Sequence, residues 1–382
     1  MDGTPVHVRP VTSSGERKQF LELPWRIQGH DPHWVPPLRG NQKELVGFAR
    51  HPFYLRARSQ AFLAWRGDRA VGRILAIRNE AYLERYSQDP CGHLGFFESL
   101  DDPVIAHALF DAGRHWLREQ GLEVARGPLN PSLNYEGGLL VDGFHRPPTF
   151  MMTYNPPYYP ALWESYGFRK AQDLLSFLGR KEDLSTLGSK VFFVVQEAQR
   201  RFPLRIRPIE KRRFLSDVRV FLDIYNRSNE GNWGHVPMSE AEMRHAAKGL
   251  RHLIVPELTR IAEFEGRPVG AIFGLLDYNP LIRKIDGRLF PFGFLTLFRQ
   301  RRSIRRIRIV SANVLPEFKM WGIGVVLTAH LVPQALAWPI EEGEFSWVLE
   351  SNHLSRKSIE RTNILCEKTH RIYEIGGASA AT

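Results

Sequence analysis

The stretch Val314-Leu315-Pro316-Glu317-Phe318-Lys319-Met320-Trp321-Gly322-Ile323-Gly324-Val325 follows an apolar strand pattern (Ile307, Ile309, Val310) and leads into an apolar helical run through Val326, Leu327 and Leu331. A strand, a loop with two glycines and a basic residue, and then a helix form the order that builds a cradle for a pyrophosphate. Glycine lets backbone N–H groups approach the phosphates closely, and the positive end of the helix dipole favours negative charge. A bare Gly-x-Gly is also an ordinary turn; the preceding strand, Pro316, Lys319 and the following helix distinguish this one.

The chain has 382 residues, 43% of them hydrophobic, enough for two buried cores. Its two cysteines, Cys91 and Cys366, lie far apart and outside any Cys-x-x-Cys spacing, so a disulfide framework and a zinc site are not indicated. His51, His93, His107, His115 and His145 show no ligand spacing either, and no metal is expected. The first residues lack a basic stretch followed by an apolar core, and no apolar run reaches the ~18 residues that span a bilayer. The expected localisation is cytoplasmic, with a peripheral contact on the cytoplasmic face of the inner membrane.

That contact is read from charge. The 52 Lys and Arg against 41 Asp and Glu leave a net +11, which suits polyanions or an anionic membrane surface. No acidic residue occurs from Gly287 to Pro316, and there Phe290, Phe292, Phe294, Leu295, Leu297 and Phe298 run into Arg299, Arg301, Arg302, Arg305, Arg306 and Arg308. Two readings stand: an interfacial membrane contact across Phe290–Arg308, or a buried strand followed by a solvated arginine-rich turn. No nucleic-acid partner is expected, because the aromatic residues are not spaced as a stacking platform.

Two halves repeat one unit. Val8-Arg9-Pro10-Val11 recurs as Ile206-Arg207-Pro208-Ile209 and Arg69-Ala70-Val71-Gly72 as Arg267-Pro268-Val269-Gly270, both at an offset of 198 residues (8 to 206, 69 to 267). The first half reads as strand 7–11, helix 15–28, hairpin 61–79, strand 92–98, helix 103–120, strand 122–127 and helix 158–167. The second reads as strand 204–209, helices 214–227 and 239–251, hairpin 259–278, strand 306–314, helix 322–337, strand 345–350, helix 354–361 and strand 369–375. The firmest helix, 103–120, aligns Ile105, Leu109, Ala112, Trp116 and Leu117 on one face and stops at Gly121. The expected domains are 1–185 and 200–376, with a boundary near 180–203 and a disordered tail at 377–382.

This order of elements, with its Gly-x-Gly helix start, resembles the GNAT superfamily of N-acyltransferases, and the duplication makes it a tandem GNAT. The implied fold class is α/β, a mixed central sheet flanked by helices in each of two GNAT-like domains, with splayed strands at the coenzyme site. The resemblance implies acyl-CoA as co-substrate, bound through Val314, Leu315, Lys319, Gly322, Ile323, Gly324 and Val325. It also implies Asn352, in Glu350-Ser351-Asn352-His353, as the start of the helix flanking the pantetheine arm. Unpaired backbone groups of the splayed strands would bond the pantetheine as an added strand does.

The first half lacks the loop. Glu98-Ser99-Leu100-Asp101-Asp102-Pro103 stands in its place, with three carboxylates that would repel a pyrophosphate. The coenzyme is therefore expected on the second half alone, and the amide- and tyrosine-rich stretches 126–138 and 151–159 are read either as a rigid acceptor-binding wall or as a polar interdomain loop. Those stretches, with Asn279-Pro280 and Phe290–Phe298, are similar to a group of bacterial tandem GNAT proteins that includes a ceramide synthase. The likeness implies a sphingoid-base amine as acceptor and a lipid product.

A primary amine of pKa ~10.4 is neutral in only ~0.1% of molecules at pH 7, so a base or water relay is expected. The candidates are Glu350, His235, Glu230 and Glu136. Many family members carry a tyrosine acid seven residues after the helix-leading Asn; here that position is Ile359. Alternatives remain: an aminoacyl-tRNA-dependent tandem transferase, acyl transfer to an amino acid, peptide, protein or antibiotic amine, and a non-catalytic acyl-CoA-binding module.

Overall fold

The computed structural model describes residues 4–186, 189–362 and 364–376; the tail expected at 377–382 lies outside the described residues. In chain order the regular elements begin with β1 (Val6–Pro10), α1 (Ser14–Gln28), α2 (Arg39–Leu45), β2 (Ala57–Arg66), β3 (Arg69–Asn79), α3 (Glu80–Arg85), β4 (Cys91–Ser99) and α4 (Pro103–Glu119). There follow β5 (Val124–Gly127), β6 (Leu129–Asn130), β7 (Glu136–Gly137), β8 (Leu139–Asp142), α5 (Tyr159–Ser165), β9 (Arg169–Arg180) and α6 (Ser189–Arg201). The second half carries β10 (Leu204–Pro208), α7 (Phe214–Ser228), α8 (Glu240–Leu250), β11 (Thr259–Phe264), β12 (Arg267–Leu276), α9 (Asn279–Lys284), α10 (Gly293–Arg299), β13 (Arg306–Val314), α11 (Ile323–Ala337), β14 (Glu342–Leu349), α12 (His353–Glu360) and β15 (Leu365–Ile375). The expected mixed α/β architecture is present. Short α2, α3, α9 and the long β9 and α6 were not foreseen, and the segment read as a buried strand is instead α10.

Two compact units emerge. One comprises residues 4–173, 282–289 and 368–376 among those described, the other 174–281 and 290–367. In the first, strands lie in the order β1-β2-β3-β4-β5-β15, with β8 also on β15; in the second the order is β9-β14-β13-β12-β11-β10. The last strand of the chain thus completes the first unit, where it pairs antiparallel with β5 (Tyr373 opposite Gly127). The end of β9 pairs with β14 in the second (Leu174 opposite Leu349).

The sheet of the first unit separates two apolar clusters. Ile105, Leu109, Phe110 and Leu117 of α4 pack with Trp163 on one face; Phe20, Leu23 and Ile27 of α1 pack with Leu63, Leu75 and Ile77 on the other. The repeated glycines explain the helix positions. A Cβ on Gly72 would stand 2.7 Å from Leu109 and 2.9 Å from Ile105 of α4, and one on Gly270 would stand 3.1 Å from Ile323 and 3.3 Å from Leu327 of α11. Helix and strand are close because no side chain stands between them.

The first unit closes its own cleft. Strands β4 and β5 pair in parallel only over Cys91–His93 and Val124–Arg126, after which residues 128–130 enter the gap. Asn130 Oδ1 accepts from the Phe96 N–H at 2.6 Å, and a Cβ on Gly95 would lie 1.9 Å from the Leu129 carbonyl oxygen. The start of α4 is closed as well, since the Asp102 carboxylate accepts from Val104 N–H at 2.9 Å and pairs with Arg66 at 2.6 Å. Glu98 corrects an expectation: its carboxylate does not face that loop but is buried, accepting from Gln28 at 2.8 Å and Tyr159 at 2.7 Å beside Arg73 at 3.4 Å. Burial raises its pKa, against the pull of Arg73.

His93 sits in β4 with both ring nitrogens buried and no hydrogen-bond partner, its ring edge-on to Tyr82 at 4.9 Å. Burial, with Arg126 adding, pushes its pKa from 6.5 down to about 3. The unfolded chain therefore takes up this proton first as pH falls. Stability owed to neutral His93 is intact above 6.5 and is lost between 6.5 and 3, at about 1.4 kcal/mol per pH unit. Urea denaturation at pH 6.5 and pH 5 should show this slope in the wild type and a flatter one in His93→Phe.

Candidate active site

Strands β13 and β14 run parallel but pair over only four positions, Arg306 opposite Glu342 through Ile309 opposite Phe345. Beyond Ile309 the strands part, as expected. A bulge shifts β13 at this point, since Gly274 faces Ile309 while Phe273 faces Ser311, leaving Val310 as the extra residue. β14 has its own irregularity between Phe345 and Val348. Residues 310–314 and 346–349 therefore present backbone edges not paired with each other. At the apex, buried Arg308 donates to Ser346 Oγ at 2.9 Å and to the Ser346 carbonyl at 3.1 Å.

Past β13 the chain folds into a tight turn over Pro316–Trp321 and enters α11 through Gly322, whose φ of 73° is left-handed. Leu315 N–H donates to the Val269 carbonyl at 2.9 Å, which ties the turn to β12. Phe318 and Trp321 meet edge-on at 4.7 Å, and Phe202 stacks on Trp321 at 3.7 Å. The first bonds of α11 run from Val325 and Val326 N–H to the Gly322 carbonyl. The Ile323 and Gly324 N–H groups precede that first bond, at the positive end of a 15-residue helix.

The loop's single carboxylate is balanced. Glu317 accepts from Arg267 at 2.7 Å and Arg227 at 3.1 Å; a hydrogen bond from its own backbone and these guanidiniums lower its pKa. Lys319 is exposed. The arrangement suits an anion better than the sequence of the loop alone implies.

On the opposite face of β13 lies the end of α7. Asn229 Nδ2 donates to the Tyr225 carbonyl at 2.8 Å and faces Asn313 Oδ1 at 3.4 Å, while Asn232 Nδ2 donates to Asn229 Oδ1 at 2.9 Å. Asn226 bonds both the N–H and the carbonyl of Met238, at 2.9 and 3.0 Å, and so pins the far end of the α7–α8 loop. His235 of that loop is buried, edge-on to Tyr225 at 5.8 Å. Burial pushes the Tyr225 hydroxyl up to about 12.

Val314, Leu315, Lys319, Gly322, Ile323, Gly324 and Val325 thus fall on one continuous strand–turn–helix. Asn352 caps α12, its Oδ1 accepting from Ser355 N–H at 3.2 Å. Half-buried Glu350 follows β14, with its carbonyl accepting from Arg356 at 3.3 Å. Glu230 is exposed in the α7–α8 loop, and Ile359 lies on α12. Glu136 belongs to the first unit, on β7 opposite Asn130. Ser311 and Asn313 escaped the sequence reading, and Arg308, read there as part of the basic patch, is instead a buried, partnered charge between Ile307 and Ile309.

The arrangement is that of known folds. A tandem GNAT protein from the clavulanic acid biosynthesis pathway superposes with a TM-score of 0.55 at 11% identity, covering 98% of this chain and 100% of that one. A GCN5-related N-acetyltransferase from Sphaerobacter thermophilus gives 0.51 at 12% identity, covering 97% and 95%. These likenesses establish the class by fold, a tandem GNAT protein. No family model matches the chain. Two curated proteins are closer in sequence: protein YghO of Escherichia coli strain K12, 32% identical over 374 residues (96% of this chain, 94% of that one), and the bacterial ceramide synthase of Caulobacter vibrioides strain NA1000 / CB15N, 32% identical over 377 residues (97% of each). The chain belongs to the tandem GNAT family that contains these two proteins.

The two loop glycines differ in what they tolerate. A Cβ on Gly322 would take a left-handed conformation 3.4 Å from Val194 and 3.5 Å from Ala198, whereas one on Gly324 meets only Val314 at 3.9 Å. Gly322→Ala should lose about 1–2 kcal/mol, and Gly324→Ala should be neutral or gain up to about 1 kcal/mol in helix stability; thermal denaturation of both variants checks the asymmetry.

Proposed function

We propose that the chain is an acyl-CoA-dependent N-acyltransferase that transfers a long acyl chain to a primary amine, a sphingoid base such as sphinganine or 3-oxosphinganine. The observation that carries this reading is the parting of β13 and β14 beside a glycine-led helix start, in a chain of the family that contains a bacterial ceramide synthase. In this reading Gly322, Ile323, Gly324 and Val325 hold the pyrophosphate, with Lys319 supplying charge. The pantetheine bonds the free edges of β13 and β14, and Asn352 orients the helix beside it.

The amine nitrogen attacks the thioester carbonyl carbon; the C–N bond forms, the C–S bond breaks, and the amine proton passes to a base while the thiolate leaves. Backbone N–H groups on the free edge of β13 stabilise the oxyanion. Glu350 and His235 are the bases we favour, each in the same unit as the loop; Glu230, by its exposure, would act through water. Glu136 lies in the first unit and is not assigned this role. With Ile359 where many relatives carry tyrosine, the leaving thiolate, of pKa ~8.5, departs without a side-chain acid.

A membrane surface is the proposed source of a lipidic acceptor. No helix among the described residues is long and apolar enough to cross a bilayer, but Phe290 and Phe292 are 81% and 72% exposed beside exposed Arg299, Arg301, Arg302 and Arg305. Arg306 and Arg308, grouped with this patch by sequence, are turned into β13, where Arg306 pairs with Glu342 at 3.0 Å. The patch therefore ends at Arg305. Its occupant is an anionic bilayer on the cytoplasmic side, which accepts inserted aromatic rings and guanidinium groups together.

Mass spectrometry of reactions holding long-chain acyl-CoA and sphinganine, 3-oxosphinganine, amino acids or a lysine peptide tests the reading. N-acyl sphingoid product is expected; tight acyl-CoA binding without product from any amine would make the chain a binding module. Gly324→Glu should abolish both binding and product while melting as the wild type does. Phe290→Ser with Phe292→Ser should weaken partition to phosphatidylglycerol-containing liposomes at low salt by about tenfold or more, and unchanged partition would remove the membrane proposal.

A further inference from the structure

Two polar groups on β13 are buried without a hydrogen-bond partner: Asn313 Nδ2 and Ser311 Oγ. They stand two residues apart and so share one face of the strand. That face is the one toward α7, because Asn313 meets Asn229 and because Phe273, opposite Ser311, meets Phe221 of α7 edge-on at 5.7 Å. The neighbouring Val314 faces the other way, toward Gly324 and the start of α11. Both residues lie beyond Ile309, in the stretch of β13 that has left β14.

The polarity of the amide is not arbitrary. The Tyr225 carbonyl can only accept, so the atom of Asn229 that meets it at 2.8 Å is nitrogen, and the same nitrogen faces Asn313. Asn313 must answer with oxygen, which leaves its NH2 as the outer atom. An unpaired buried donor costs about 1–3 kcal/mol, and Asn313 is only 8% exposed. An apolar side chain of similar size would be more stable there. A donor kept at that cost, on the wall of the cleft and on the face opposite the phosphate cradle, points to a ligand that supplies an acceptor atom.

We propose that Asn313 and Ser311 line the acceptor subsite and select primary amines that carry an oxygen three bonds from the nitrogen, a 2-amino alcohol or an α-amino ketone. This rests on the acyltransferase reading above. Acyl-CoA enters with its phosphates on the α11 face, so the amine approaches from the α7 face. The Asn313 amide donates to the acceptor's oxygen, and Ser311 either donates or accepts beside it. Asn313 is thus a specificity residue for the second substrate and takes no proton in the reaction.

The test compares sphinganine with octadecylamine, an alkylamine of matched chain length that lacks the oxygens, at saturating palmitoyl-CoA. The wild type should favour the amino alcohol in kcat/KM by about tenfold or more, the discrimination expected of a site built to bond a substrate oxygen. Asn313→Ala should bring the ratio close to one. So should Asn313→Asp, which still accepts from Asn229 but has no amide to donate. Octadecylamine turnover and palmitoyl-CoA affinity should stay within about twofold of the wild type, and the melting temperature should hold or rise as the unpaired donor is removed. Ser311→Ala should lower the ratio in the same direction. An unchanged ratio in Asn313→Ala, or an equal loss with both amines, would overturn the assignment and leave the acyltransferase reading standing. Failure of the wild type to acylate either amine while binding palmitoyl-CoA would overturn both.

Discussion

The parting of β13 from β14 is the constraint on which the candidate site depends. Two parallel strands that stayed paired would satisfy each other's backbone groups and leave nothing for a ligand to bond. Here the ladder stops at Ile309 and Phe345, and a bulge at Val310 changes the direction of β13. Arg308 holds the apex by bonding Ser346 on the other strand. The buried guanidinium joins the strands where they separate, so the cleft has a fixed floor.

The same device occurs twice and is open once. In the first unit β4 leaves β5 after His93, yet Leu129 and Asn130 fill the gap, and Asn130 takes up the Phe96 N–H. Asp102 likewise takes up an amide at the start of α4, whereas α11 begins at left-handed Gly322 with no side-chain cap. Duplication supplied two frames. Internal hydrogen bonds closed one of them, so the two halves differ in a way that is chemical rather than topological.

The polar residues around β13 follow the same economy of backbone and side chain. Residues facing α11 are small or apolar, which lets the glycine turn sit against the strand. Residues facing α7 are Ser311 and Asn313, the latter in a relay with Asn229 and Asn232. In the proposed reading, alternation along one strand separates the phosphate face from the acceptor face, with the free strand edge between them.

Much of this was legible in the sequence. The 198-residue offset between repeats, the 3.6-residue periodicity of α4 and the order of strand, glycine turn and helix depend on local pattern, and they led to most element positions; the α/β class and the splayed strands were implied by the resemblance to the GNAT superfamily. What the sequence did not determine involves residues distant along the chain. That β15 completes the first unit, that Glu98 turns inward to Tyr159, that Asn130 fills a cleft and that Asn313 keeps an unpaired donor are all decided by packing between segments. Periodicity fixes which face of an element is apolar, but only the assembled neighbours decide which polar groups on that face find a partner.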